Sequence, residues 1–224
     1  MLKNKILYLL LFLPAILLAH GVTTGDQGYI QEVSGVNFVP FMYLGAKHMV
    51  TGYDHLLFLV GVIFFLYKLK DIGIYVSLFA VGHSSTLLFG VFAEINVSAY
   101  IIDAIIGLSV AYKALDNLGA FKVWFGKQPD TKVATLVFGL FHGFGLATKI
   151  LEFSIAPDGL FTNLIAFNLG VEVGQLLALG SILILMSYWR KKDSFIGHAY
   201  TANVLLMAAG FLLTGYQIAG YILN

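Results

Sequence analysis

The stretch "HMVTGYDH", residues 48–55, holds His48, Asp54 and His55 directly before the apolar run "LLFLVGVIFFLY". Three more ionisable groups sit deep in apolar runs: His83 in "VGHSSTLL", His142 in "GLFHGFGLA" and Glu172 in "NLGVEVGQL". Asp103, in "YIIDAIIGLS", is a supporting candidate. A charged group near the centre of a membrane helix costs on the order of 2.5–3.5 kcal/mol, so such residues persist when they pair, line a cavity or bind something. Imidazole and carboxylate together make a site for a divalent transition-metal ion. The chain has no cysteine, which excludes disulfides, thiolate ligands and a cysteine nucleophile together. The remaining donors favour Ni²⁺, Co²⁺, Zn²⁺ or Cu²⁺ over Cu⁺.

Spacing constrains how these groups meet. His48 and His55 are two helical turns apart and share a face, but a straight helix separates them by about 10.5 Å along its axis. Ligands lie about 2 Å from a bound ion, so one ion shared by both requires a bend near Thr51-Gly52. A structural reading fits the same stretch: Thr51 as an N-cap with Asp54 at the third helical position, a short capping box. Capping accounts for Thr51 and Asp54 and leaves both histidines unexplained. Asn168, Glu172 and Gln175 follow i, i+4, i+7 spacing and make a polar stripe on one helix face. Gly139 and Gly143 bracket His142, and Gly170 and Gly174 bracket Glu172. Small residues at that spacing let helix backbones approach closely, as side chains from different helices must to share an ion. Each residue alone also has a structural reading: a histidine bonded to backbone, Asp103 or Glu172 paired or protonated, and Ser84, Ser85 and Thr86 as helix–helix glue. Together they point to one convergent metal site, with Asp103, Asn168, Gln175 and Ser84 in supporting positions.

The elements that must position these groups are membrane helices. The chain has 224 residues, 59% hydrophobic and 11% charged, with a mean hydropathy of +0.87. A soluble domain carries about 25% charged residues. Several apolar runs reach the roughly 20 residues that cross a bilayer, without the period-2 alternation of a membrane β-barrel. The sequence predicts an all-α, polytopic membrane helical bundle: six transmembrane helices at about 53–67, 73–93, 97–115, 131–152, 161–189 and 199–222. Residues 1–19 read as a signal peptide, with Lys3 and Lys5 before an apolar run and cleavage after Ala19, or as an uncleaved first membrane helix. Cleavage there would leave His20 as the N-terminus, an incidental metal site. Residues 20–35 form a polar segment outside the bilayer, 36–224 the transmembrane domain, and 36–50 a short interfacial or re-entrant helix. The formal net charge of +1 gives no reason to expect nucleic acid.

Loop charge sets orientation. With Lys3 and Lys5 inside, the inner segments also hold Lys68, Lys70, Lys113, Lys122, Lys127, Lys132, Arg190, Lys191 and Lys192. The outer segments hold Lys47 and Lys149. The positive-inside rule therefore places the polar N-terminal segment and the C-terminus outside, in a bacterium the periplasmic side of the inner membrane. Trp124, Tyr188 and Trp189 fall where an inner aromatic belt sits, and "LGAFKVWFGK" reads as a segment on the inner membrane surface. The inner halves of the helices look poor in ionisable groups, which weighs against a through-path.

H-x5-D-H at His48, Asp54 and His55, followed by "LLFL", "VGHSSTLLFG", "GLFHGFGLA" and "AFNLGVEVGQL", resembles the HupE/UreJ family of membrane proteins over residues 36–190. The resemblance implies a signal peptide, six spans and handling of nickel, or in some members cobalt. It implies a metal role for His48, Asp54 and His55, and by motif for His142; His83 and Glu172 match positions recurrent in the family. The third span has Asp103 where relatives often have glutamate. After "FHG" the chain continues "FGLAT", without the second histidine and glutamate of the best-known nickel members.

Three functions follow. The first is a permease or handling protein for nickel or cobalt, a transporter rather than an enzyme. Asp54 with His48 or His55 would capture the ion outside and pass it to His83, His142 and Glu172; uptake would fall in acid, since protons and metal compete for the histidines. The second is a zinc-dependent intramembrane hydrolase using the same cluster, with Glu172 or Asp103 as general base and Ser84 or Ser85 as a transition-state donor. The third is a non-catalytic metal-binding scaffold or sensor. A periplasmic or membrane partner and a homo-oligomer are open in all three. No nucleotide motif is present.

Overall fold

The computed structural model describes residues 30, 32–95, 97–152 and 157–223. The expected leader, residues 1–19, and His20 lie outside the described residues. Among the described residues eight helices are defined: α1 (Phe38–Thr51), α2 (Tyr53–Ile63), α3 (Leu69–Phe92), α4 (Ala99–Asn117), α5 (Ala120–Phe125), α6 (Thr131–Glu152), α7 (Leu160–Arg190) and α8 (Phe195–Leu223). No strand occurs among the described residues.

Six of these helices occupy the six expected stretches, and four of them, α3, α6, α7 and α8, are long and apolar enough to cross a membrane. Their outward surfaces are apolar: Val81, Phe89, Leu176, Leu177, Ile184, Leu185 and Leu205 are all exposed. So much contiguous apolar surface is at home in lipid rather than water, and the chain is a membrane protein. The other two depart from the expectation for physical reasons. Helix α2 has 11 residues, about 16 Å at 1.5 Å per residue, roughly half a bilayer core. Its last carbonyls are capped from α7: the Arg190 guanidinium donates to the backbone oxygens of Ile63 and Phe64. Helix α4 is 19 residues long but carries Asp103, Lys113 and Asp116. The expected short helix over 36–50 is α1.

Packing follows the small residues. Helix α3 lies against α6, α1 against α7, and α4 against α8. A Cβ on Gly139 would stand 2.5 Å from the Phe79 carbonyl oxygen, and one on Gly143 would collide with the His83 carbonyl. Gly170 and Gly174 are pressed likewise against the backbone of Met42 and Ala46. Both Gly-x-x-x-Gly pairs therefore do what their spacing suggests. Thr86 Oγ1 adds a bond across α3–α6 to the Leu140 oxygen at 2.7 Å. Of the three residues read as glue, Thr86 fills that role; Ser85 is exposed and bonds within its own helix to the Val81 oxygen, and Ser84 is half-buried.

Asn163 ties the chain before α1 to the start of α7, accepting from Asn37 N at 2.7 Å and donating to the Gly35 oxygen at 2.9 Å. Helix α5 exposes Val123, Trp124 and Phe125, the character of a segment lying on a membrane surface.

Candidate metal centre

The α1–α2 junction is a break, not a continuous helix. Gly52 is extended (φ −71°, ψ 104°), with α1 ending at Thr51 and α2 beginning at Tyr53. Its N–H still donates to the His48 oxygen at 2.9 Å. A Cβ on Gly52 would meet His55 Nδ1 at 2.6 Å and Asp54 Oδ1 at 3.1 Å, so glycine is what permits the break. The His48 and His55 ring centroids end 5.0 Å apart, about half the straight-helix rise. The bend expected near Thr51-Gly52 is present. The capping alternative is not: Thr51 Oγ1 donates back to the Lys47 oxygen at 2.7 Å, α2 has no side-chain cap, and Asp54 Oδ1 lies 3.1 Å from His55 Nδ1.

Two further helices converge on this turn. From α6, His142 brings its ring to 5.1 Å from His55; from α3, His83 lies 6.4 Å from it. Asp54, His55, His83 and His142 are all buried, none more than 4% exposed. Donor atoms of Asp54, His55 and His142 lie within 4.8 Å of one another. Two ligands about 2 Å from one ion are at most about 4 Å apart, so closure by about 1 Å would complete a three-ligand site. Hydrogen bonds set the tautomers. His142 Nδ1 lies 2.7 Å from the Phe138 oxygen; a carbonyl can only accept, so Nδ1 carries the proton and Nε2 the lone pair. With Nδ1–H of His55 given to Asp54, its Nε2 likewise carries the lone pair, and the ring is oriented by a carboxylate, as it is in histidines that hold a metal.

Nitrogens without partners mark the centre. Among the described residues, His48 Nε2, His55 Nε2 and both ring nitrogens of His83 are buried with no hydrogen-bond partner. Buried polar atoms are nearly always satisfied, and exceptions call for a water, an ion or a function. His48, Asp54, His55 and His142 line a cavity of about 20 Å³ together with Gly52, Asp103, Ile106, Gly145 and Lys149. That is room for about one water-sized occupant. His83 stands behind His55, outside the lining.

The remaining candidates separate. Asp103 lines the cavity and holds Lys149 Nζ at 2.9 and 3.1 Å. Asn168 and Gln175 are buried; Asn168 Nδ2 donates to the Leu164 oxygen of its own helix. Neither lines the cavity. Glu172 does not converge with the histidines, because it is exposed on α7. At about 100° per residue it stands about 40° round the helix from Asn168 and 60° from Gln175. The buried sector of α7 ends between them, with Leu179 inside and Glu172 past its edge. A stripe at i, i+4, i+7 is wide enough to straddle such a boundary. Ser84 likewise lies outside the cavity lining.

Beneath the centre lies a layer of aromatic rings. Phe79 lies 4.9 Å and Phe58 5.6 Å from the His142 ring, and Phe138 lies 5.9 Å from Phe58. Beyond them the helices are not poor in ionisable groups, contrary to expectation. Lys113, counted with the inner loops, is buried in α4 and paired with buried Asp116, which also accepts from Gln128 and Thr131. Asn117 bonds the Gly61 oxygen at 2.8 Å and Asn203 at 2.9 Å. Lys149, counted with the outer segments by its charge, lines the cavity. Its spacing of seven from His142, the same two-turn interval as His48 and His55, was the available signal.

A helical membrane protein with a buried histidine–carboxylate cluster is the class that this fold and centre define. Residues 24–224 match the HupE / UreJ protein family, and the chain belongs to it. No curated protein and no solved structure matches the chain.

Proposed function

We propose that this chain is a permease for a divalent transition-metal ion, nickel or cobalt, that enters from the periplasmic side. The observation that carries the proposal is the buried meeting of Asp54, His55 and His142 donor atoms within 4.8 Å. Asp54 supplies negative charge, and the imidazoles supply neutral nitrogen donors of intermediate softness. His48 at the cavity wall and His83 behind His55 are second positions for an ion that enters or moves on. Family membership supports metal handling. Loop charge supports outward placement of the Lys149 end of α6 and of the start of α1, with α1–α2 as one broken crossing and α4 completing six crossings of the inner membrane. The ring layer of Phe58, Phe79 and Phe138 would be the closed inner side of an outward-facing state.

The hydrolase reading requires a substrate beside the ion. A cavity of about 20 Å³ has no space for an ester or amide, and Ser84 is not in it. Exposed Glu172 is poorly placed to serve as a base there. The transport reading is tested by radioactive nickel accumulation in cells expressing the chain. His55→Ala and His142→Ala should reduce it to the vector background; accumulation at the unsubstituted level in both would refute it.

A further inference from the structure

Lys149 is an odd neighbour for a cation site. It lies two turns beyond His142 on α6, with Gly145 between them, and all three line the cavity that holds Asp54 and His55. Its ammonium bridges both oxygens of Asp103 on α4, and the side chains are 14% and 5% exposed respectively. Gly145 keeps the space between His142 and Lys149 open: a Cβ there would lie 3.0 Å from Ile102 Cγ2 and 3.6 Å from Asp103 Oδ1. If helix contact were the sole purpose, an apolar pair would serve as well, since buried ion pairs add little net stability over well-packed hydrophobic residues.

Charge balance gives the pair a use. With the histidines neutral, the cavity lining carries two carboxylates, Asp54 and Asp103, and one ammonium, Lys149. Two carboxylates balance one divalent ion. With the ammonium still in place the loaded site would hold one net positive charge in a low-dielectric setting. Lys149 retains some exposure and a flexible stem that can carry its head outward.

We propose that Lys149 is a tethered counter-cation that the incoming metal displaces, and that Asp103 is the entry carboxylate that exchanges ammonium for metal. This rests on the metal reading above. Lys149 thereby sets a threshold affinity: ions that bind too weakly to repel it do not enter.

The test is Ni²⁺ binding to the purified full chain, with folding checked by gel filtration and thermal unfolding. Lys149→Met should bind Ni²⁺ at least about tenfold more tightly, since an ammonium within about 10 Å of a divalent ion repels it by more than that factor at a protein-like dielectric. Lys149→Arg should match the unsubstituted chain, and Asp103→Asn should bind about tenfold more weakly. In the unsubstituted protein, Ni²⁺ should speed labelling of Lys149 by an amine reagent, read by peptide mass. Folded Lys149→Met that binds no tighter, or Lys149 labelling unchanged by Ni²⁺, would overturn the proposal. Should Lys149→Met not fold, the labelling result decides. An unsubstituted chain that binds no Ni²⁺ would remove the metal reading itself, a different outcome from binding without displacement.

Discussion

Gly139→Ala perturbs the centre without touching a ligand. The new methyl carbon would stand 2.5 Å from the Phe79 oxygen and 3.1 Å from its Cα, whereas ordinary contact begins at 3.4 Å. These are backbone atoms, so no side chain can swing away, and α3 and α6 must separate by about 0.9 Å at that level. Overpacking of this kind costs about 1–3 kcal/mol, offset by about 0.5–1 kcal/mol from replacing a helical glycine. The net loss, up to about 2.5 kcal/mol, corresponds to a fall in melting temperature of up to about 10 °C for a chain of this size. The separation also draws His83 and the Phe79 floor away from His142, one turn along α6. Nickel affinity should therefore fall by about 10–100-fold, the usual cost of disturbing the groups that surround a metal site. Gly180→Ala is the control, because nothing beyond its own helix backbone lies within 4 Å of its Cβ position; it should raise the melting temperature slightly and leave affinity alone. Thermal unfolding and calorimetric titration of both variants decide the matter. A Gly139→Ala protein with unchanged melting and unchanged affinity would refute the close α3–α6 approach and the coupling drawn from it.

Glu172→Gln should leave nickel affinity within about twofold in the same titration, because the carboxylate is exposed on α7; a loss of about tenfold or more would restore it to the site. Arg190→Met should uncap the end of α2 and cost about 1–3 kcal/mol in thermal unfolding, the penalty of leaving buried carbonyls unsatisfied. Acidification should weaken nickel binding steadily in pH-series titrations, since protons compete for the imidazole lone pairs. Affinity that rises or stays flat towards acid would exclude histidine ligation.

Much of the site was legible because membrane burial makes polar residues conspicuous. His55, His83 and His142 stand out in runs of Leu, Phe and Val, and helix rise alone demanded the Gly52 break if His48 was to join them. The glycine pairs announced the two close helix contacts. Glu172 was misplaced because periodicity gives a residue's angle but not the width of the buried sector, and it falls about 40° beyond Asn168. Lys149 and Lys113 were read as loop charges because hydropathy cannot show that a lysine near a helix end has found a carboxylate. Asp103 and Lys149 are 46 positions apart, and that pairing depends on how α4 meets α6. The length of α2 was hidden for a similar reason: its cap, Arg190, comes from 126 positions away.

The central claim is that Asp54, His55 and His142 together hold one ion. Equilibrium Ni²⁺ binding to the purified full chain, beside folded His55→Ala and His142→Ala, measures this directly. One tightly held ion per chain is expected, lost in each variant. A chain that binds no nickel, cobalt or zinc, or variants that keep the ion at the original affinity, would contradict it.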